Sequence, residues 1–298
     1  VPGASPLSDS LDAVKQLEDA GAPLIVMHSL FEEQIEREEI ALNQSMDLPK
    51  DSFAEALSYF PEPDQFVLGP DDYLEQIRRI KSAVSVPVIA SLNGVTSGGW
   101  IRYARLIEEA GADGLELNLY EVAGDLTEPG TAVEDRLLEV VRAVRDAVAV
   151  PLAVKLSPFY SSPGNFIKRI DDLHVDGLLL FNRFYQPDLD IEQLEARRVM
   201  QLSDPSDLLL RLRWLAMLYG RVSAPLAVTG GVHSVSDVVK SIMAGADVCQ
   251  MVSALLQRGP AYLDEVCQGL SRWLEEHEYE SLEQMRGSLS LQRVPNPH

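Results

Sequence analysis

The stretch that decides the fold lies near the carboxyl end of the chain, at residues 224–260, and reads APLAVTGGVHSVSDVVKSIMAGADVCQMVSALLQRGP. An apolar run, Leu226–Thr229, ends at two glycines and is followed by a helical pattern that Gly245 closes. A second apolar run, 248–251, leads at once into another segment of helical pattern. The stretch therefore predicts two consecutive strand–helix units of a parallel α/β sheet.

The two junctions between strand and helix carry small residues. Gly230 and Gly231 follow the first strand, and Val252 and Ser253 follow the second. Free amide N–H groups at such junctions, together with the helix dipole, attract an anion. In a TIM barrel, phosphate binds after the seventh and eighth strands. The other interpretation is a tight turn that needs glycine for its backbone conformation and binds nothing.

Helix-ending Gly-Ala pairs and strand-opening prolines recur along the chain and mark further apolar runs. The expected strands are 1–5, 24–28, 88–92, 114–119, Leu152–Leu156, 177–181, Leu226–Thr229 and 248–251. Apolar strands separated by amphipathic helices indicate a parallel sheet covered by helices. Eight such units predict an α/β TIM (β/α)₈ barrel that spans residues 1–298 as a single domain, with a doubly wound open sheet as the lesser option.

Amphipathic patterns predict the helices of this barrel. The expected ranges are 71–84, 100–110, 132–147 and 207–219, with one long and one short helix within 261–287. Three connections are too long for plain strand–helix loops, namely 31–70, 120–130 and 183–205. Each leaves the carboxyl end of a strand, where barrel active sites are built, so we expect lids or substrate walls there.

The charge balance is strongly acidic, with 25 Lys and Arg against 46 Asp and Glu and a net charge of −21. An acidic surface repels nucleic acids and anionic membranes, so neither is expected as a partner. Any positive charge in a cleft would run against this overall charge and would therefore indicate a local role.

The sequence offers few residues for disulfides, iron–sulfur clusters or metal sites. The chain has only 2 cysteines, too few for a disulfide framework or an iron–sulfur cluster. Its 5 histidines show no ligand spacing, so no metal site is predicted.

The sequence has no long apolar run or secretory signal, which predicts a cytoplasmic protein. The chain begins at Val1 and not at Met, and we expect that some amino-terminal sequence is missing.

The carboxyl ends of the expected strands carry amide and hydroxyl side chains, one histidine, one lysine and two glycines. In chain order these residues are Ser5, His28, Ser29, Asn93, Asn118, Lys155, Asn182, Thr229, Gly230, Gly231 and Ser253. Lys155 lies inside an apolar strand and must find a negative partner or lose its proton. It could form a Schiff base, act as a fixed cation beside a cofactor that becomes anionic, or simply extend to the barrel mouth. Asn118 and Asn182 suit a flat ring with amide edges, although each could instead bond its own loop.

Several of these segments together resemble the class 1 dihydroorotate dehydrogenases. The segments are ELNL at 116–119, VKLSP at 154–158, FN at 181–182, TGGV at 229–232, GAD at 245–247 with Gln250, and YESLEQMRG at 279–287. The similarity runs from Pro2 to about Gly287. It implies an FMN-dependent oxidoreductase on a TIM barrel, in pyrimidine biosynthesis. Such an enzyme passes a hydride to flavin N5 while a base removes the neighbouring proton.

The resemblance also implies roles for individual residues. The FMN phosphate would be held by Gly230, Gly231, Val252 and Ser253. Lys155 would stabilise charge at the N1/O2 edge of the flavin, with Asn118 between flavin and substrate and Asn182 on the substrate. The flavin would be lined further by Ala4, Ser5, Ser29 and Ser203.

The substrate half departs from the family pattern. After the first asparagine the family has Leu-Ser-Cys-Pro-Asn with cysteine as base, whereas this chain has LYEVA at 119–123. Glu121 therefore stands at the base position, and the alternative is a solvated carboxylate on a lid. His28 replaces a lysine expected near the substrate, and the family's asparagine-rich loop is not recognisable within 45–70. The substrate is expected to be dihydroorotate or a related cyclic amide.

Three hypotheses follow for the function. The leading one is the FMN oxidoreductase, the second is a flavin-free barrel lyase that forms an imine on Lys155, and the third is a non-catalytic flavin-binding partner subunit. The electron acceptor is not evident from the sequence. The resemblance suggests a homodimer, or assembly with a separate electron-transfer subunit.

Overall fold

A computed structural model describes residues 1–31, 70–93, 97–119, 121–183, 187–198 and 201–294. Its strands are β1 (Ile25–Phe31), β2 (Val88–Asn93), β3 (Gly114–Asn118), β4 (Leu152–Leu156), β5 (Gly177–Leu180), β6 (Pro187–Asp190), β7 (Glu195–Arg198), β8 (Leu226–Thr229) and β9 (Val248–Gln250). Its α-helices are α1 (Leu11–Asp19), α2 (Pro70–Ala83), α3 (Ser97–Glu109), α4 (Gly130–Ala147), α5 (Pro163–Asp171), α6 (Leu208–Leu218), α7 (Val235–Ala244), α8 (Ser253–Arg258), α9 (Tyr262–Glu276) and α10 (Leu282–Met285). Short 3₁₀ helices lie at Pro6–Asp9 and Pro205–Asp207. Almost all of the predicted loop 31–70 and the first residue of the loop 120–130 lie outside the described residues.

The main sheet has one continuous strand order, β1-β2-β3-β4-β5-β8-β9, and each neighbouring pair is parallel. A doubly wound sheet would reverse its order at a switch point, and this one does not. The fold is therefore TIM-barrel-like, with helices between consecutive parallel strands, as the sequence predicts.

The amino-terminal segment lies between the last and the first strand of this sheet. Pro2 forms a parallel bridge with Met251, and the Gly3 amide donates to the Met251 carbonyl at 3.0 Å. On the other side, the His28 amide donates to Ser8 Oγ at 2.7 Å. The expected strand 1–5 is thus an isolated bridge in the structure, because the chain turns into a 3₁₀ helix directly after Ser5.

The helices cover the sheet with apolar faces. In α4, Val133, Leu137, Val140, Val141 and Val144 are all buried, at the three- and four-residue spacing of one helix face. The two tail helices α9 and α10 match the predicted long and short helix. No helix among the described residues is long and apolar enough to cross a lipid bilayer.

The amino ends of the strands are linked by aspartates. Each lies just before one strand and accepts a hydrogen bond from the first amide of the preceding strand in the sheet. The pairs are Asp113 with Val88 at 2.7 Å, Asp176 with Leu152 at 2.8 Å, and Asp247 with Leu226 at 2.8 Å. These aspartates, two of which belong to Gly-Ala-Asp segments, therefore have a structural role, because they join neighbouring strands at this end of the barrel.

The predicted loop 183–205 contains an antiparallel hairpin that the sequence did not predict. Strands β6 and β7 pair from Pro187 opposite Arg198 to Asp190 opposite Glu195. Each strand has only four residues and carries charged side chains, so neither gives the apolar alternation by which strands are recognised.

Candidate active site at the mouth of the barrel

Lys155 forms a buried ion pair with Glu116. The lysine lies in β4, beside Asn118 of β3, and its Nζ is 3.1 Å from Glu116 Oε1. The side chains are only 9% and 2% exposed, respectively. The negative partner that burial of Lys155 demands is therefore Glu116.

Gln250 connects this pair to the opposite side of the barrel. Its Nε2 donates to Glu116 Oε2 at 2.8 Å, although β9 and β3 are not neighbours in the sheet. The contact must therefore cross the barrel interior. Gln250 Oε1 is buried and has no hydrogen-bond partner among the described residues. A side chain on Gly3 would come within 3.1 Å of that oxygen.

Asn118 belongs to a second buried polar group, on the first three strands. Its Nδ2 donates to Ser91 Oγ at 2.8 Å and to the Leu92 carbonyl at 3.2 Å. Ser91 Oγ is also 2.8 Å from Ser29 Oγ. Since Glu116 and Asn118 are two residues apart on one strand, they share the interior face, with Asn118 nearer the mouth.

His28 and Ser29 are adjacent in β1 but contact different parts of the molecule. A register irregularity interrupts the pairing of β1 with β2 between Val26 and Ser29. His28 Nδ1 lies 2.6 Å from Asp9 Oδ1, and its ring packs edge-on against Tyr73. The structure thus brings His28 to the 3₁₀ helix and α2, and Ser29 to Asn118.

The double glycine adopts a conformation that other residues rarely adopt. Gly230 and Gly231 both have φ of +84°, in the left-handed region. A Cβ on Gly231 would overlap the backbone nitrogen of Leu208. The bend after β8 is therefore packed directly against the start of α6.

Ser203 and Ser253 meet beside this bend. Ser253 Oγ accepts from the Ser203 amide at 2.9 Å, and the two hydroxyl oxygens are 2.8 Å apart. His233 Nε2 lies 3.4 Å from Ser203 Oγ. The loops after β7, β8 and β9 therefore converge on one polar cluster, in which His233 is an addition to the predicted residues.

The remaining residues predicted to bind FMN lie where the amino-terminal segment meets β9. The Ser5 carbonyl accepts from the Ser8 amide and hydroxyl, at 3.2 and 3.0 Å, and Ser5 itself is buried. Ala4 is half-buried. Val252 is half-buried and its side chain occupies the space beside Gly3.

Glu121 and Asn182 have local partners. Glu121 is ion-paired with Arg136 of α4, which also pairs with Glu128. The hydrogen bonds to Glu128 and Glu121 raise the pKa of Arg136. Asn182 Oδ1 accepts from the amide of Arg183 at 3.0 Å, in its own loop. The structure does not bring Glu121 to Lys155 or Asn118.

Four buried residues at this end of the barrel received no role from the sequence. They are Ser91, Glu116, Arg211 and Gln250. Ser91 and Glu116 are polar residues inside apolar strands, and Arg211 lies on the apolar face of a helix. A buried polar residue requires a partner, so each position carries a signal that sequence reasoning could have used.

Comparison with known proteins assigns the chain to a family. The family model described as dihydroorotate dehydrogenase matches residues 67–274, which is more than half of the chain. Three similar proteins are named dihydroorotate dehydrogenase B (NAD(+)), catalytic subunit. That of Methanothermobacter thermautotrophicus is 28% identical, over 74% of this chain and 73% of the relative. That of Pyrococcus abyssi is 30% identical and that of Pelobacter propionicus 31%, each over 74% of both chains. The chain therefore belongs to the dihydroorotate dehydrogenase family, whose members are oxidoreductases acting on CH–CH groups.

Proposed function

We propose that the chain binds FMN at the mouth of the barrel and oxidises the CH–CH bond of dihydroorotate or a related cyclic amide. The observation that carries the proposal is the buried ion pair of Lys155 and Glu116, which fixes a positive charge beside Asn118 at the ends of the central strands. The names of the similar proteins supply the substrate.

The described residues fit the two ends of FMN. At one end, the left-handed bend and the Ser203–Ser253 cluster offer hydroxyl and backbone donors in a small space, as a phosphate requires. At the other end, Lys155, Asn118 and Ser29 offer a cation, an amide and a hydroxyl, as a flavin ring edge requires. The residues proposed to hold the cofactor are Ala4, Ser5, Ser29, Asn118, Lys155, Ser203, Gly230, Gly231, Val252 and Ser253.

Lys155 acts in this proposal as a fixed cation. When bound, FMN supplies a two-electron acceptor for the hydride that leaves the substrate carbon. A preorganised charge lowers the energy of a developing negative charge without reorganisation during the reaction. Glu116 Oε1 lies 3.1 Å from Lys155 Nζ and holds that nitrogen in an ion pair, whereas imine formation needs the nitrogen free to attack a carbonyl carbon; this contact argues against the Schiff-base lyase.

Removal of the substrate proton requires an acceptor. Glu121 is the candidate by its position after β3, and its ion pair with Arg136 is the observation against this role. Asn182 and His28 are the candidates for substrate contact by their places at strand ends. Their present partners are an amide of the same loop and Asp9, respectively.

The electrons must leave the flavin after each turnover. Since the similar proteins are named catalytic subunits of NAD(+)-dependent enzymes, we propose that a separate electron-transfer subunit accepts them here as well.

The experiment is anaerobic mixing of the FMN-loaded protein with candidate substrates. Dihydroorotate and dihydrouracil are compared, and loss of the oxidised flavin absorbance is followed. We expect bleaching by one of these cyclic amides. A protein that binds FMN but is bleached by no cyclic amide of this class would support the non-catalytic partner subunit instead.

A further inference from the structure

Arg211 is a buried arginine that the proposed function does not use. It lies on the inner face of α6, where Leu208, Leu215 and Leu218 are the other buried residues. Its exposed fraction is only 4%. A buried guanidinium needs several hydrogen bonds, because burying a charge without partners is costly.

Three backbone carbonyls bind this guanidinium. Nε donates to the Thr229 carbonyl at 2.5 Å, at the end of β8. Nη2 donates to the Phe181 carbonyl at 3.1 Å, just after β5, and Nη1 donates to the Asp207 carbonyl at 2.6 Å. Arg211 therefore ties two neighbouring strand ends at the mouth to the start of its own helix.

Among the described residues, no carboxylate oxygen lies within ion-pair distance of the Arg211 guanidinium. The Asp207 carboxylate instead lies 3.7 Å from Arg183 Nε and accepts from the Asp204 amide. Burial lowers the pKa of Arg211, an effect that the nearby Asp207 opposes, but an arginine stays protonated in proteins. Arg211 is thus a buried positive charge at this rim, in a chain whose net charge is −21.

The other charged groups of this rim are already engaged. Asp204 accepts from the Ser206 amide at 2.7 Å, and Asp237 accepts from the His233 amide at 3.1 Å and the Ser234 hydroxyl at 2.8 Å. These two carboxylates serve as caps at the starts of helices. They leave Arg211 as the buried cation of the cluster.

The guanidinium also packs against the double glycine. A Cβ on Gly230 would lie 2.9 Å from Arg211 Nη2 and 3.1 Å from Nε. The backbone of the bend can therefore approach the cation closely only because residue 230 has no side chain. The backbone bend at 229–231, to which the proposed function assigns a phosphate, therefore packs directly against a buried positive charge.

We infer that Arg211 is a positioning residue for the anionic end of the ligand: it fixes the bend at 229–231 and selects a ligand that ends in phosphate over the same ligand without it. This inference rests on the proposed binding of FMN and deepens it. A phosphate near a buried cation is favoured by Coulomb attraction in a medium of low dielectric constant.

The test compares binding of FMN and riboflavin, which differ only in the phosphate, by quenching of flavin fluorescence. The proteins are the wild type, R211M, R211K and R213M. R211M removes the charge and keeps an apolar stem, and R211K keeps the charge. R213M removes an exposed charge from the same helix and is the matched control.

We expect R211M to weaken FMN binding about tenfold or more and riboflavin binding less than about threefold. R211K should bind both ligands more weakly but keep the FMN-to-riboflavin ratio within about threefold of the wild type, and R213M should match the wild type. Equal weakening of both ligands in R211M would overturn the inference, as would loss of the ratio in R211K. If R211M does not fold, R211Q, which also removes the charge but keeps hydrogen-bonding groups, is measured in its place and judged by the same ratio. A wild type that binds neither flavin would end the FMN proposal itself, and this inference with it.

Discussion

The two ends of the barrel use charge in opposite ways. At the amino ends of the strands, carboxylates of Asp113, Asp176 and Asp247 accept hydrogen bonds from strand amides. At the carboxyl ends, the buried cation Lys155 pairs with Glu116, and the buried cation Arg211 donates hydrogen bonds to backbone carbonyls. Part of the acidic excess therefore has a structural use at one end, whereas the proposed function assigns a negatively charged ligand to the other end. Changes at the mouth should alter flavin binding or chemistry, and changes at the amino end should alter stability alone.

The largest expected effect is on stability, at the mouth. E116Q leaves Lys155 buried without its carboxylate, so the free energy of unfolding should fall by about 3–5 kcal/mol. The free energy of unfolding of the variant and of the wild type is measured by urea denaturation. The matched control is E75Q, which breaks an exposed pair with Arg78 and should cost less than about 1 kcal/mol. Equal losses in the two variants would mean that the interior pair contributes no more than a surface pair.

The next effect separates chemistry from binding at the same site. K155M should lower the rate of flavin reduction by about 10²–10³-fold, because it removes the charge at the proposed ring edge. FMN affinity should fall by less than about tenfold, since the phosphate end is unchanged. Stopped-flow reduction and equilibrium FMN binding are compared, with the exposed Lys240→Met variant as control. Equal losses in rate and affinity would contradict the role proposed for Lys155.

A pair of glycines tests the bend after β8. G231A and G111A both place a side chain at a left-handed residue, which costs about 1–3 kcal/mol. Only Gly231 lies against another backbone, that of Leu208, whereas no atom lies within 4 Å of the position at Gly111. We therefore expect both variants to lose stability but G231A alone to lose FMN affinity. Weakened FMN binding in G111A would show that the assay reports general destabilisation.

A carboxylate at the amino end should affect stability and its pH dependence. Asp171 is buried, and burial alone would raise its pKa, but hydrogen bonds from the Ala224 and Ser223 amides, together with the Lys168 ammonium, outweigh this and lower the pKa. Its stabilisation is therefore complete above the unfolded-state pKa and is lost as the pH falls through the lower folded-state pKa. D171N should reduce the free energy of unfolding by about 1.5–3 kcal/mol at pH 7.

Two measurements accompany D171N. Urea unfolding of variant and wild type is repeated at decreasing pH, and the difference between them should shrink below a pH of about 4. FMN affinity should be unchanged. A difference that persists in acid, or a weakened cofactor site, would remove the proposed division between the two ends.

The smallest effect is expected at Glu121. Its carboxylate forms a partly exposed ion pair with Arg136 of α4. Because the structure places it away from Lys155 and Asn118, E121Q should change the rate of flavin reduction by less than about threefold. If Glu121 were the base, the rate would fall by about 10²-fold or more. Pre-steady-state reduction by the active substrate decides between the two interpretations.

The strands were the most predictable part of the molecule. Leu226–Thr229 and Leu152–Leu156 have the predicted bounds, because a proline precedes each strand and small or polar residues follow it. Strand β1 continues to Phe31, three residues beyond its predicted end at His28. The extension depends on pairing of Ser29–Phe31 with β2 after an irregularity in register, and local sequence does not show such pairing.

The partners within the site were less predictable. The sequence shows that Lys155 needs a negative partner, but Glu116 and Gln250 are 134 positions apart and meet only when the barrel closes. Arg211 occupies the same helix face as Leu208 and Leu215, so its burial follows from helical spacing, but its three carbonyl partners do not. Sequence periodicity determines which face a residue occupies, whereas contacts across the barrel depend on the closed fold.

The most direct test of the account is whether the barrel mouth takes up FMN. The purified protein is incubated with excess FMN and passed through a gel-filtration column, and flavin absorbance is compared with protein concentration. About one FMN per chain should elute with the protein. Elution of all FMN in the small-molecule fraction would contradict it.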